Sequence, residues 1–193
     1  MSLKTNFAAI ILAGGQSSRM GTDKGLLLFN GHPLVMHVID AIRQAGISDI
    51  ILISSNKEYA AFGYPCYPDH VAGKGPLAGI SAGLSHSNAQ KNIVLGCDMP
   101  FLGPELLKAL MHHTGEEQVL LSRHLGKAEP LCSVYDKNCL SHFENKLKND
   151  ELKITQALKG LRIRDIQFDD EPWFQGNEFS NMNAPDDLVK NHH

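Results

Sequence analysis

No apolar run in this 193-residue sequence approaches the roughly 20 residues that a membrane-spanning helix needs. Nor does a basic segment precede an apolar one in the manner of a secretory leader. Cysteine is scarce. Cys66, Cys97, Cys132 and Cys139 include no Cys-x-x-Cys pair and no Cys/His grouping at zinc spacing, which argues for small reduced thiols rather than a disulfide framework or a zinc module. Excess positive charge is missing as well. The 18 Lys and Arg face 21 Asp and Glu, a net charge of −3, so nothing electrostatic favours nucleic acid or an anionic membrane as partner. Any anion must be held by local cations, and cytoplasm is the default compartment. Internal repeats, low-complexity tracts and a clear linker are also absent, and no Ser-His-Asp or Cys-His arrangement offers a nucleophile.

With 42% hydrophobic and 20% charged residues, the composition fits one domain over residues 1–193 with a core able to fold unaided. Its organising stretch is Ile10 to Lys24. The apolar run Phe7 to Leu12 stops at Gly14-Gly15, and Arg19 and Lys24 follow. Glycines let backbone N–H groups come close to a ligand, and such donors beside two cations suit a polyphosphate. An ordinary strand-to-helix turn with a solvated basic edge is the alternative. The spacing matches neither a Walker loop, since Lys24 trails Gly21 by three, nor the Gly-x-Gly-x-x-Gly dinucleotide fingerprint.

Downstream, Leu26 to Phe29 is a short apolar run closed by Asn30-Gly31, a turn pair. Pro33 opens a predicted helix with Leu34, Val38, Ile39 and Ile42 on one face and Gly46 at its stop. Asp49 to Ser54 reads as a strand buried on both faces. Pro76 begins a helix bearing Leu77, Ile80 and Leu84, Ile93 to Leu95 is a strand, Pro104 to Gly115 is a helix, and Val119 to Leu121 is a strand. This alternation predicts an α/β fold, a single-domain Rossmann-like open, mostly parallel sheet with helices on both faces. Beyond about Arg123 the pattern loosens into a strand (Leu131 to Tyr135), a helix (Asn138 to Lys148), a short helix (Ile154 to Leu158), a half-exposed strand (Leu161 to Arg164) and a last helix after Pro185.

Ligands of such sheets sit beyond the carboxyl ends of the strands. The glycine loop, Ser54-Ser55-Asn56 and Asp98 all fall there. Asp98 precedes Met99-Pro100, and a carboxylate so held suits Mg²⁺, which takes one or two carboxylates with water and phosphate oxygens; a helix cap or turn residue is the plainer alternative. Asp69 reads equally well as a site acid or an Asx-turn. Gly75-Pro76-Leu77-Ala78-Gly79 admits a flat base against the backbone or is simply a tight helix start.

The opening loop resembles the signature Leu-Ala-Gly-Gly-x-x-x-Arg-Met-Gly-x-Asp-Lys of the molybdenum cofactor guanylyltransferases, within the nucleotidyltransferase superfamily. Gly75-Pro76-Leu77-Ala78-Gly79, Cys97-Asp98-Met99-Pro100, Glu129-Pro130-Leu131 and Asn181-Met182-Asn183-Ala184-Pro185 are similar to further motifs of that family, in order. The resemblance implies transfer of GMP from GTP to the terminal phosphate of molybdopterin, with pyrophosphate released. It implies contacts to GTP from Leu12, Ala13, Gly14 and Gly15, with Pro76 and Leu77 beside them, and it puts Arg19 and Lys24 on the phosphates. Asp69 matches a nucleotide-binding acid and Asp98 the acid that ligates Mg²⁺. Asn181 and Asn183 fall on the pterin side. The family often has Asn directly after the second strand, where this chain has Ser54 and then Asn56, so either contacts the nucleotide. Residues up to about 122 would be the nucleotide half and those from about 123 the pterin half, where Arg123 and Lys127 could assist with phosphate. Cofactor-synthesis proteins and molybdoenzyme chaperones are the implied protein partners, without nucleic acid or membrane. Two other readings remain. One is a sister enzyme, such as a molybdopterin cytidylyltransferase (those tend to carry Ala where this chain has Gly14) or a sugar-phosphate nucleotidyltransferase. The other is a nucleotide-binding regulatory protein without turnover.

Overall fold

The computed structural model describes residues 6–13, 23–69 and 73–182. Gly14, Gly15, Arg19 and Asn183 lie outside the described residues, as does the helix predicted after Pro185. Apolar runs become the central strands. After strand β1 (Phe7–Leu12) the next described elements are a 3-10 turn (Lys24–Leu26) and a short hairpin of β2 (Leu28–Phe29) and β3 (His32–Pro33). The run Leu26 to Phe29 is thus divided between turn and strand, because Asn30 and Gly31 both take positive φ and fold the chain back at once. Helix α1 (Leu34–Gln44) starts directly after Pro33 and presents Leu34, Val35, Val38, Ile39 and Ile42 to the core. Gly46, at φ +87°, supplies the left-handed stop.

Next come β4 (Asp49–Ile53), a 3-10 segment (Lys57–Phe62), β5 (Cys66–Tyr67), α2 (Gly75–His86), β6 (Lys91–Gly96) and α3 (Pro104–His113). The remainder is β7 (Val119–His124), β8 (Lys127–Ala128), β9 (Cys132–Asp136), a 3-10 turn (Lys137–Cys139), α4 (Leu140–Lys148), α5 (Ile154–Ala157) and β10 (Ile163–Gln167). One eight-stranded sheet runs in the order β10-β7-β9-β6-β1-β4-β5, with β8 paired to β7. Strand β1 pairs in parallel with β4 and β6, and β10 in parallel with β7. Among the described strands of this sheet only β9 and the short β8 run the other way.

That reversed strand explains why the sequence pattern loosens after Arg123. A hairpin turn at Leu125 and Gly126, both at positive φ, replaces the helical crossover that a parallel strand requires. Because β9 is antiparallel to β6 and to β7, those two strands point the same way. The edge strand β10 begins two residues later than its alternation suggests and is largely exposed.

Side chains alternate across the sheet and divide the core in two. Ala9, Ile11, Leu52 and Leu95 pack with α1 and α3, whereas Ile10, Leu12, Ile51 and Val94 pack with α2, α4 and α5. Helix α2 lies unusually close to β1. A Cβ on Gly83 would fall 2.3 Å from Ile10 Cγ2, and one on Gly79 would fall 3.2 Å from Leu12 Cδ2. The small residues of this helix are there for packing.

Candidate active site

Parallel pairing brings several predicted residues to one edge of the sheet. Ala13 N donates to Ile53 O at 2.9 Å, Cys97 N to Leu12 O at 3.2 Å, and Ser54 N to Tyr67 O at 2.8 Å. Ladder bonds therefore continue to the strand ends and align Ala13, Ser54, Asp69 and Asp98 along the carboxyl edge. Leu12 and Ala13 are themselves buried, so only their backbone can serve a ligand. Helix α2 also begins at this edge. Pro76 is exposed in its first turn, Leu77 is buried in the core, and the N-cap residue, Lys74, makes no capping bond with its side chain. The N–H groups at a helix start favour an anion.

Asp98 is the centre of the arrangement. Its Oδ2 lies 3.7 Å from Lys24 Nζ, with both side chains largely covered (17% and 29% exposed). Burial pushes the Asp98 carboxyl above the usual aspartate range, and the attraction of Lys24 opposes that shift without overcoming it. Hydration lost on burial thus outweighs a single cation held beyond hydrogen-bond distance. The neighbouring Cys97 thiol is raised too, first by burial and then by the carboxylates of Asp98 and Asp23, and is held in its unreactive neutral form.

Asp23 holds the backbone of Lys24. Its Oδ1 accepts from Gly25 N at 3.2 Å and from the Tyr59 hydroxyl at 2.5 Å, and its Oδ2 accepts from Asn56 Nδ2 at 3.5 Å. Asn56 is used at both ends, since its Oδ1 also accepts from Glu58 N at 3.0 Å and caps the following 3-10 segment. The Ser54 hydroxyl, buried, accepts from Asn56 N at 3.1 Å. Both residues named after the second strand are therefore tied into the loop that carries Tyr59.

The C-terminal segment returns to the same point. Met182 N donates to Asp98 O at 2.9 Å, and the Met182 side chain is buried with Phe29 and Leu34. This fixes the exposed Asn181 beside the Asp98 main chain. Further along the carboxyl edge, His124 Nδ1 and Asp169 Oδ1 pair at 2.6 Å under a cluster of Phe174 and Phe179. Arg123 is engaged with Asp165 at 2.9 Å, and Lys127 stays exposed. Asp23, Tyr59 and His124, which the fold brings to this edge, were not legible as such in the sequence. Asp23 lay inside the quoted motif without a role, and the other two carry no local signal.

Among the described residues no group of three or more His, Cys, Asp and Glu side chains converges to hold a metal. A largely covered carboxylate beside Lys24 fits a cation that takes most of its ligands from water and phosphate, as Mg²⁺ does, and does not fit an all-protein cage. No helix among the described residues is long and apolar enough to cross a membrane.

Known proteins resemble this chain over most of its length. Residues 9–162 match the family described as the MobA-like NTP transferase domain. A Flavobacterium johnsoniae protein named probable molybdenum cofactor guanylyltransferase is 37% identical over 92% of either chain. The molybdenum cofactor guanylyltransferase of Vibrio atlanticus is 33% identical, covering 98% of this chain and 97% of its own. The crystal structure of molybdopterin-guanine dinucleotide biosynthesis protein A from Archaeoglobus fulgidus superposes with a TM-score of 0.75 at 25% identity, over 94% of this chain and 95% of that one.

Proposed function

Because this chain belongs to the family of MobA-like NTP transferase domains, we propose that it transfers GMP from GTP to the terminal phosphate of molybdopterin. A phosphate oxygen of molybdopterin attacks the α-phosphorus of GTP, the bond from that phosphorus to the bridging oxygen breaks, and pyrophosphate leaves with the electron pair. The attacking group is already an anion, so no general base is required. The protein supplies alignment and charge neutralisation.

One observation carries this reading. Asp98 is approached by both halves of the chain, through its side chain by Lys24 and through its main chain by Met182. A donor nucleotide over the glycine loop and an acceptor beside Asn181 would meet there. Lys24 and Arg19 would neutralise the transferring and leaving phosphates. Leu12, Ala13, Gly14, Gly15, Pro76 and Leu77 would border the nucleotide, with Ser54, Asn56 and Asp69 along its edge. Asn181 and Asn183 would hold the pterin, so that residues to about 122 form the nucleotide half and the rest the acceptor half. Asp98 would hold Mg²⁺, which when bound offsets phosphate charge. The enzyme works in the cytoplasm, in keeping with four free thiols, and cofactor-synthesis proteins and molybdoenzyme chaperones are its protein partners.

The test is pyrophosphate release from GTP, CTP, ATP and UTP, with and without molybdopterin. GTP turnover that depends on molybdopterin is expected. Preference for CTP would reassign the protein as a cytidylyltransferase, and nucleotide binding without turnover as a regulatory protein.

A further inference from the structure

Tyr59 is fully buried, yet its hydroxyl is not turned toward the core it fills. The ring packs in the cluster with Phe62, and the oxygen reaches Asp23 at 2.5 Å. Gly25 is pressed against the same oxygen. A Cβ there would fall 2.3 Å from Tyr59 Oη and 3.1 Å from Cys97 Sγ. The turn Asp23-Lys24-Gly25 is therefore wedged between the loop after β4 and the loop after β6, and its cationic side chain, Lys24, projects to Asp98. A tyrosine serving only to fill the core has its hydrogen-bonding needs met by any acceptor. This one binds the residue immediately before the lysine and contacts the residue immediately after it. Burial raises the Tyr59 hydroxyl well above its ordinary value, and the adjacent Cys97 and Asp23 add to that, so it remains a proton donor to Asp23 at every working pH.

We infer that Tyr59 and Asp23 form a positioning latch for catalysis, in which the buried hydroxyl clamps the carboxylate that fixes the Lys24 backbone and so sets the Lys24 ammonium against Asp98 for the transfer step. Asn56 supports the latch from the other carboxylate oxygen. Neither Tyr59 nor Asp23 is a catalytic residue, since both act through Lys24. The latch rests on the transfer reading of Lys24 and Asp98. It acts on alignment more than on nucleotide affinity, because a charge misplaced by a fraction of an ångström still attracts a polyphosphate but no longer matches the transition state.

Tyr59→Phe in the full chain keeps the buried ring and removes only the oxygen. The kcat for pyrophosphate release from GTP in the presence of molybdopterin should fall about 10- to 100-fold, the size of a lost hydrogen bond to a charged group, while the GTP KM changes less than about twofold. Combining it with Asp23→Ala should cost no more activity than Asp23→Ala alone, since both break one contact. In spectra of protein carrying isotope-labelled lysine, the Lys24 ammonium signal (identified by its loss in Lys24→Gln) should move toward the exposed lysines in Tyr59→Phe. Unchanged kcat, a loss confined to KM, or additive losses in the double variant would overturn the latch. A wild-type protein that releases no pyrophosphate from GTP would refute the transfer reading instead. The Lys24 signal would then decide, and its staying in place would overturn the latch.

Discussion

The main-chain amide of Met182 donates to the carbonyl of Asp98 at 2.9 Å, so the segment bearing Asn181 is anchored on the residue whose carboxylate faces Lys24. On the proposed reading, a donor and an acceptor gripped by distant parts of the chain would meet at one carboxylate. Each part of this arrangement can be perturbed separately.

Asp98→Asn should lower transfer by on the order of 10²–10³, the effect of losing one transition-state electrostatic contact. Stability should move the other way. The Asp98 pKa is raised in the folded protein, chiefly by burial and despite Lys24. A group with a raised folded pKa contributes stability that is complete below its unfolded value and lost as pH rises through the folded one. At neutral pH the neutral asparagine removes that loss, so the melting temperature should match or exceed that of wild type. For the same reason the stability of the metal-free wild-type protein should begin to fall, as Asp98 loses its proton, above the ordinary aspartate range. A variant that melts far below wild type would count against a site in which charge is held at a cost.

Guanine preference should be visible in a thermal-shift panel. Nucleotide at about 100 times its Kd adds about 2.7 kcal/mol, or very roughly 5–10 °C for a chain of this size. GTP should raise the melting temperature well above CTP, and Gly14→Ala should narrow the gap. A larger rise with CTP would point to the cytidylyl activity.

The double change Asn181→Ala with Asn183→Ala should leave GTP affinity nearly intact and abolish transfer to molybdopterin. Two lost hydrogen-bonding partners would weaken acceptor binding by on the order of 2–6 kcal/mol. Calorimetry with GTP and a transfer assay on one preparation decide it. Parallel loss of both would assign the segment to structure or to the nucleotide.

Helix α2 should respond unequally to alanine. At Gly83 a Cβ would fall 2.3 Å from a buried methyl of Ile10, and overpacking of this kind costs about 1–3 kcal/mol, outweighing the roughly 1 kcal/mol gained in helix propensity. At Gly79 the contact is 3.2 Å to the end of Leu12, so the two effects should nearly cancel. Denaturant unfolding of the two variants measures the difference.

Local rules were enough to read most elements from the sequence. Phe7 to Leu12, Asp49 to Ser54 and Ile93 to Leu95 read as strands and stand as Phe7–Leu12, Asp49–Ile53 and Lys91–Gly96, and Pro33, Pro76 and Pro104 each stand at the start of a helix. Alternating strand and helix then determined a mostly parallel sheet, and with it the carboxyl edge where Ser54, Asp69 and Asp98 lie. Tertiary structure alone decided what meets there. The reversed β9 is as fully buried as β6 beside it, so burial does not set its direction; the turn at Leu125 and Gly126 and the pairing partners on either side do. Tyr59 and Asp23 stand 36 residues apart, on loops joined only because β1 and β4 are adjacent in the sheet. Asn56 and Ser54 were both open to a nucleotide by sequence, and the fold binds both into the loop beside Tyr59. A hydrogen bond between distant loops has no periodicity and no spacing, and only the order of strands creates it.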